Sequence, residues 1–277
     1  MRARFPDSAG LVNFMHVITA VRVLRSGTST VALALLAACA SVQAPQPDTA
    51  VDGIAQSRWA AASESGGTTG TSGLWIHQEF PGKRASNYRY ARLDGRDTVA
   101  VQSSSAASML RQVVRIEAPN LGRLRFSWMV PALIPAANLR DRDLDDAPVR
   151  VVLAFEGDRS KFSARDAMLS ELAHALTGEP MPYATLMYVW GNQSAPGALL
   201  HNTRTGRIRK LVMESGPDKL GQWLEYERDV RADFEKAFGE PPGALVSIGI
   251  MTDTDNTRST ATAWYGPIRH VGVKGAP

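Results

Sequence analysis

The densest run of chemically useful side chains is Thr252-Asp253-Thr254-Asp255-Asn256-Thr257. Alternating carboxylates and an amide put several hard oxygens on one short turn, which suits a calcium ion or sugar hydroxyls. Asp253 and Asp255 are the candidate metal ligands, and calcium is the one cofactor this chemistry suggests. The run lacks the glycine at the sixth position and the glutamate at the twelfth that an EF-hand loop needs. A turn whose Asp and Asn side chains cap their own backbone is the structural alternative. A second group is aromatic. Tyr188 and Trp190 share a strand face just before Gly191-Asn192-Gln193, and Trp264 sits in a strand beside the acidic run. Sugar C–H faces stack on such rings while amides and carboxylates hold the hydroxyls. The candidate ligand set is therefore Trp190, Asn192, Asp253, Asp255, Asn256 and Trp264, with burial in the core as the alternative for each ring. Glu214 closes a further strand. With Asp253 it would form a catalytic pair for glycoside chemistry if the two lay about 5–5.5 or 6.5–9.5 Å apart.

Other chemistries are missing from the sequence. There is no Gly-x-Ser-x-Gly elbow, P-loop, Gly-x-Gly-x-x-Gly or His-Glu-x-x-His. His77, His174, His201 and His270 have no zinc-ligand spacing to one another. Ser194 and His201 share a loop, but spacing alone does not make a nucleophile and its base.

The elements that must position these residues read mainly as strands. Asp94-Gly95 between 88–93 and 96–101 is a two-residue hairpin turn. Leu124, Phe126, Trp128 and Val130 alternate with Arg123, Arg125, Ser127 and Met129, and 149–155 repeats the pattern. Segments 184–190, 208–214, 223–228, 245–252 and 261–273 bring the expectation to roughly ten strands. Two helices interrupt them. One starts at Ser163–Asp166, buries a stripe of Met168, Leu169, Leu172, Ala175 and Leu176, and stops at Gly178. The other is capped by Asp229, buries Val230, Phe234, Ala237 and Phe238, and ends at Gly239. The fold class this implies is mainly β: a jelly-roll β-sandwich with two short decorating helices.

The N-terminal end carries an address. Val31–Ala38 is apolar, follows Arg22 and Arg25, and runs into Cys39, the only cysteine of the 277 residues. It is far short of the roughly 20 residues of a membrane span, so it reads as an export signal. Leu36-Ala37-Ala38-Cys39 resembles the bacterial lipobox, in which the cysteine is lipidated. Ala40 after it, in place of Asp, resembles the sorting pattern of outer-membrane lipoproteins facing the periplasm. Removing residues 1–38 takes away Arg2, Arg4, Arg22 and Arg25 against one acid, Asp7, so of the formal net charge of +4 only about +1 is left. Nucleic acid is not expected as a partner, since no basic stripe replaces that charge. The expected organisation is a signal at 1–38, a tether at 39–73 with only Trp59 suited to docking, and one sandwich domain at 74–277.

A family resemblance runs through the domain. YVWGN (188–192), VMESGP (212–217), Arg228-Asp229-Val230 to Asp233-Phe234, AFGEPP (237–242), IGIMTDTDNT (248–257) and ATAWYGPI (261–268) resemble an uncharacterised bacterial exported family, domain of unknown function 3047. SSSAAS (103–108) and Ser127-Trp128 also look like it. The stretch from Asp158 to Tyr183, with its helix, stands as an insertion. The resemblance implies a sandwich similar to carbohydrate-binding modules and brings no catalytic residues. The expected function is a lipid-anchored periplasmic protein that binds a glycan or envelope polymer without catalysis. A glycan hydrolase or lyase, and a structural envelope protein, are the alternatives.

Overall fold

The computed structural model describes residues 50–63 and 74–272. The signal, Cys39 and the polar blocks at 43–48 and 64–73 lie outside the described residues. Chain order begins with helices α1 (Ala50–Ala55) and α2 (Arg58–Ala62). Strands β1 (Trp75–Glu79), β2 (Asn87–Leu93), β3 (Arg96–Ser104), β4 (Ser108–Ile116), β5 (Arg123–Met129) and β6 (Ala147–Phe155) follow. Helix α3 (Ala164–Thr177) precedes β7 (Ala184–Gly191), β8 (Leu199–His201), β9 (Ile208–Ser215) and β10 (Trp223–Asp229). Helix α4 (Val230–Phe238) then leads to β11 (Leu245–Asp253), β12 (Thr260–Tyr265) and β13 (Arg269–Val271).

Two sheets face each other, as the alternating strands require. One has the order β1-β4-β11-β6-β7-β9-β8. The other runs β10-β5-β12-β3-β2, with β13 also paired to β5. All pairings are antiparallel except β7 with β9. Leu124, Phe126 and Trp128 turn inward from β5 and meet Val151, Leu153, Tyr188 and Ile250 of the facing sheet in one core. Phe126 stacks on Tyr188 with ring centroids 5.3 Å apart. The fold class is thus the β-sandwich that the alternation implies.

Several local expectations hold for their stated reasons. Asp94 and Gly95 both take positive φ (51° and 75°), the turn that matches strand twist. Asp229 caps α4 by accepting from the Ala232 amide, and Gly239 ends it in the left-handed region. The single strand expected at 261–273 breaks into β12 and β13 around Gly266-Pro267, where proline has no amide to donate to a ladder.

Two expectations need correction. Helix α3 has the expected ends, with Ser163 accepting from the Asp166 amide and Gly178 left-handed. Its buried face is different. Asp166 and Ser170 are buried, while Met168, Leu172 and Leu176 are 63%, 53% and 60% exposed. Hydrogen bonds rather than apolar burial set its orientation. Asp166 accepts from the hydroxyls of Ser163 and Thr205, and Ser170 accepts from Arg159 at 3.1 Å. The second correction concerns the expected tether. Residues 50–63 are folded: Ile54 and Trp59 are fully buried, and Trp59 lies 4.6 Å from Trp75 between ring centroids.

Candidate ligand groove on the seven-stranded sheet

Register fixes which side chains leave the core on the outer face of the larger sheet. Arg150 and Val152 of β6 lie opposite Met251 and Gly249 of β11, and opposite Val189 and Met187 of β7. Met251 and Gly249 in turn face Met109 and Arg111 of β4. Gly249 leaves room for Met109 here, since a Cβ on it would stand 2.6 Å from the Met109 sulfur and force that side chain to move. A groove therefore floored by thioethers and short aliphatics crosses the sheet. β6 is buried along its whole length because α3 and the 179–182 loop lie across this face. The loop is held by Arg111, which donates to both Glu179 oxygens at 2.7 and 2.8 Å, and by Arg159, which donates to the Met181 carbonyl at 2.8 Å.

The groove has a covered middle of about 290 Å³ between α3 and the sheet, lined by Phe80, Met109, Met181, Met187 and Met251 among others. It widens at one end into a hollow of about 410 Å³ that shares Phe80, Met181, Met187, Ile208 and Met251 with it. At the other end a hollow of about 700 Å³ shares Arg111, Ala154, Glu179 and Ser247.

The 410 Å³ end rests on a buried charge cluster. Arg150 donates from Nε to Asp253 Oδ1 at 2.9 Å and from Nη2 to Asp145 Oδ1 at 3.1 Å and the Asp145 carbonyl at 2.9 Å. Lys210, also buried, donates to the Leu139 carbonyl at 2.9 Å and to Asp145 Oδ2. Burial opposes the Arg150 charge, but Asp253 and Asp145 more than offset it and raise its pKa. Burial would also raise Asp145, yet Arg150 and Lys210 hold it below the ordinary carboxylate value. Burial lowers Lys210, with Arg150 acting in the same direction. Burial pushes Asp253 up to about 6 against the pull of Arg150, and Asp146 and Asp145 add to the rise.

The residues singled out from the sequence scatter over the molecule. Asp253, Asp255 and Asn256 line the 410 Å³ hollow. Asn256 donates from Nδ2 to the Asp145 carbonyl at 3.1 Å, and Asp255 accepts from Lys83. Trp190 lies in the core, 1% exposed, its indole donating to the Gly216 carbonyl at 3.1 Å. Asn192 donates to the Ile134 carbonyl at 2.7 Å. Trp264 alternates with buried Ala263 and Tyr265 on β12, so it faces away from the core on the six-stranded sheet. Glu214 accepts from Lys219 at 2.9 Å and Tyr226 at 3.0 Å. Its strand is three steps from that of Asp253, on the order of 14 Å, beyond the spacing of a glycosidic pair. Asp146, missed in the sequence, joins Asp253 and Asp255 with carboxylate oxygens within 4.8 Å of one another. Each already accepts a protein donor. Asp146 takes the Asn256 and Thr257 amides at 3.2 and 2.7 Å, Asp253 takes the Ala147 amide at 3.0 Å, and Asp255 takes Lys83. These bonds tie the 252–257 turn to the 145–147 segment and to Lys83 rather than to the turn's own backbone.

Sequence reading also missed Arg150, Lys210 and Asp145. Arg150 carries a signal, as the lone charged residue of the otherwise apolar β6, whereas Lys210 follows Arg209 on β9 and does not stand out.

Comparison with known proteins fixes the relationship. The family model described as a protein of unknown function, DUF3047, matches residues 74–269. The chain belongs to the DUF3047 family. The DUF3047 segment holds β1 to β12, α3, α4 and the residues that build the groove, while α1 and α2 lie before it and β13 runs past its end. No curated protein matches the chain. Among solved structures, the chain is similar to the xyloglucanase domain of NopAA, a type three effector from Sinorhizobium fredii, in complex with cellobiose. That likeness has 8% identity and a TM-score of 0.36, over 72% of this chain and 93% of the other.

Proposed function

We propose that this DUF3047 protein is an exported lipoprotein, acylated at Cys39 and facing the periplasm from the outer membrane. Its sandwich binds a glycan or other cell-envelope polymer in the outer groove without catalysis. The observation that carries the binding reading is the groove itself. It is a row of three adjoining hollows across the sheet that share lining residues from one to the next. At its 410 Å³ end Arg142, Asn202, Arg204 and Asn256 offer donors to hydroxyls or anionic groups. The carboxylates there are engaged with Arg150, Lys210, Lys83 and backbone amides, which favours binding over acid–base chemistry.

The test uses wild type and Ala173→Trp, which fills the covered middle from the helix side. Wild type should retain soluble envelope polysaccharide on a column, and the filled variant should lose it at unchanged melting temperature. Retention by both proteins, or by neither, defeats the reading of the groove as a polymer site. Cys39→Ala should abolish labelling by radioactive palmitate and release the protein from the membrane fraction. If it does neither, the anchor is wrong.

A further inference from the structure

We infer that the groove takes an anionic acylated ligand, with the acyl chain in the slot under α3 and the anionic group at Arg142 and Arg204. This rests on the groove being the binding site and names what part of an envelope glycan it would hold.

The slot has the lining of an acyl site. Phe80, Met109, Val152, Met181, Met187 and Met251 bound its middle. Four thioethers give a flexible, polarisable wall that adapts to a bending chain. Gln78, Arg111, Thr177, Thr185 and Ser247 also line the slot, but a sugar hydroxyl turned to the thioethers would lose its partners at roughly 1–3 kcal/mol, whereas a methylene chain gains about 0.8 kcal/mol per CH₂ buried there. Phe80 is the single aromatic ring among the slot residues, and it is half-buried. Stacking platforms of the kind that hold sugars are absent from this part of the groove.

The charge at the mouth picks out the head group. The residues lining the wider end include five bases, Lys83, Arg142, Arg150, Arg204 and Lys210, and three acids, Asp145, Asp253 and Asp255. Lys83 is paired with Asp255, and Arg150 and Lys210 are shared between Asp145 and Asp253. The excess of two charges therefore belongs to Arg142 and Arg204. Both are exposed, and neither has an acidic partner within ion-pair distance among the described residues. Two guanidinium groups without acidic partners, beside a mainly apolar slot with four thioethers, complement a phosphate or carboxylate joined to an acyl chain.

Titration calorimetry with dodecyl phosphate below its micelle concentration tests this directly. One molecule should bind per chain. The double variant R142Q/R204Q should bind it at least ten-fold more weakly, and Ala173→Trp should not bind it. Dodecyl maltoside, which has the chain without the charge, should bind wild type and the double variant alike. Circular dichroism controls for folding, and the exposed arginines should leave it unchanged. Absence of dodecyl phosphate binding, or equal binding by the double variant, overturns the inference. Deacylated envelope polysaccharide separates the two readings. If it binds wild type and Ala173→Trp abolishes that binding while dodecyl phosphate does not bind, glycan binding stands and the acylated ligand falls. If dodecyl phosphate binds as described and no polysaccharide does, the acylated ligand stands and the polymer reading falls.

Discussion

Lys210 and Arg150 put two positive charges beneath the groove, and Asp145 answers both. Replacing one partner of such a cluster leaves a buried charge uncompensated, at about 3–5 kcal/mol. Asp145→Asn should therefore be the most damaging change in the cluster, read as the loss of unfolding free energy in urea. Asp253→Asn should behave differently, because Arg150 keeps Asp145 and burial penalises the Asp253 charge. A carboxyl with a raised folded pKa contributes stability that is present below its unfolded value of about 3.9 and is lost as pH rises through about 6. Asp253→Asn should thus be at least as stable as wild type at pH 7–8, with its advantage shrinking from about pH 6 to pH 4. Stability curves for both proteins over that range check the sign, and a variant that gains on wild type as the pH falls would reverse it. Asp145 has the opposite linkage: its pKa is lowered, so its contribution is present above about 3.9 and fades below it. This network was half legible. The 252–257 run stood out, but its partner Arg150 is joined to it only by the pairing of β6 with β11.

Elements were more legible at their ends than on their faces. Ser163, Gly178, Asp229 and Gly239 mark helix limits because capping is local chemistry. The face of α3 depends on what the helix meets. An apolar stripe at 168, 172 and 176 predicts burial, yet Thr205 and Arg159 capture the polar face and turn the stripe outward. Leu172→Gln should accordingly shift stability by no more than about 0.5 kcal/mol. Asp166→Ala, which removes a buried acceptor from the Ser163 and Thr205 hydroxyls, should cost about 1–3 kcal/mol. Hydrogen exchange across 164–177 should rise for Asp166→Ala and stay unchanged for Leu172→Gln. The opposite ranking would mean that the apolar stripe holds the helix. β4 escaped the sequence reading for a related reason. Gln112 interrupts the inward series Leu110, Val114, Ile116, while Met109 and Val113 put apolar residues on the outer face, so the alternation is blurred.

At the scale of the molecule, the sandwich extends beyond its family segment. Trp59 fills a place beside Trp75, and Ile54 is buried with it. The Ser63 hydroxyl accepts the Ile268 amide at 3.1 Å, and Arg269 donates to the Ala62 carbonyl at 2.8 Å, so the N-terminal helices bind the last strands as well. This shortens any tether from a lipidated Cys39. Ten or so residues before Ala50 reach at most about 35 Å when fully extended, against several times that for a spacer running to residue 73. Trp59→Ala should cost about 3–5 kcal/mol, as for other buried tryptophans. At about 2–4 °C per kcal/mol for a domain of this size, the melting temperature should fall by roughly 10 °C. A chain of residues 50–277 should melt with the chain that begins at Ala40, while residues 64–277 should melt at least as low as Trp59→Ala. Equal melting of 64–277 and 50–277 would show that the two helices sit on a sandwich already complete at residue 74. A fall confined to 64–277 and Trp59→Ala would make residues 50–63 part of the fold itself, with the tether reduced to what precedes them.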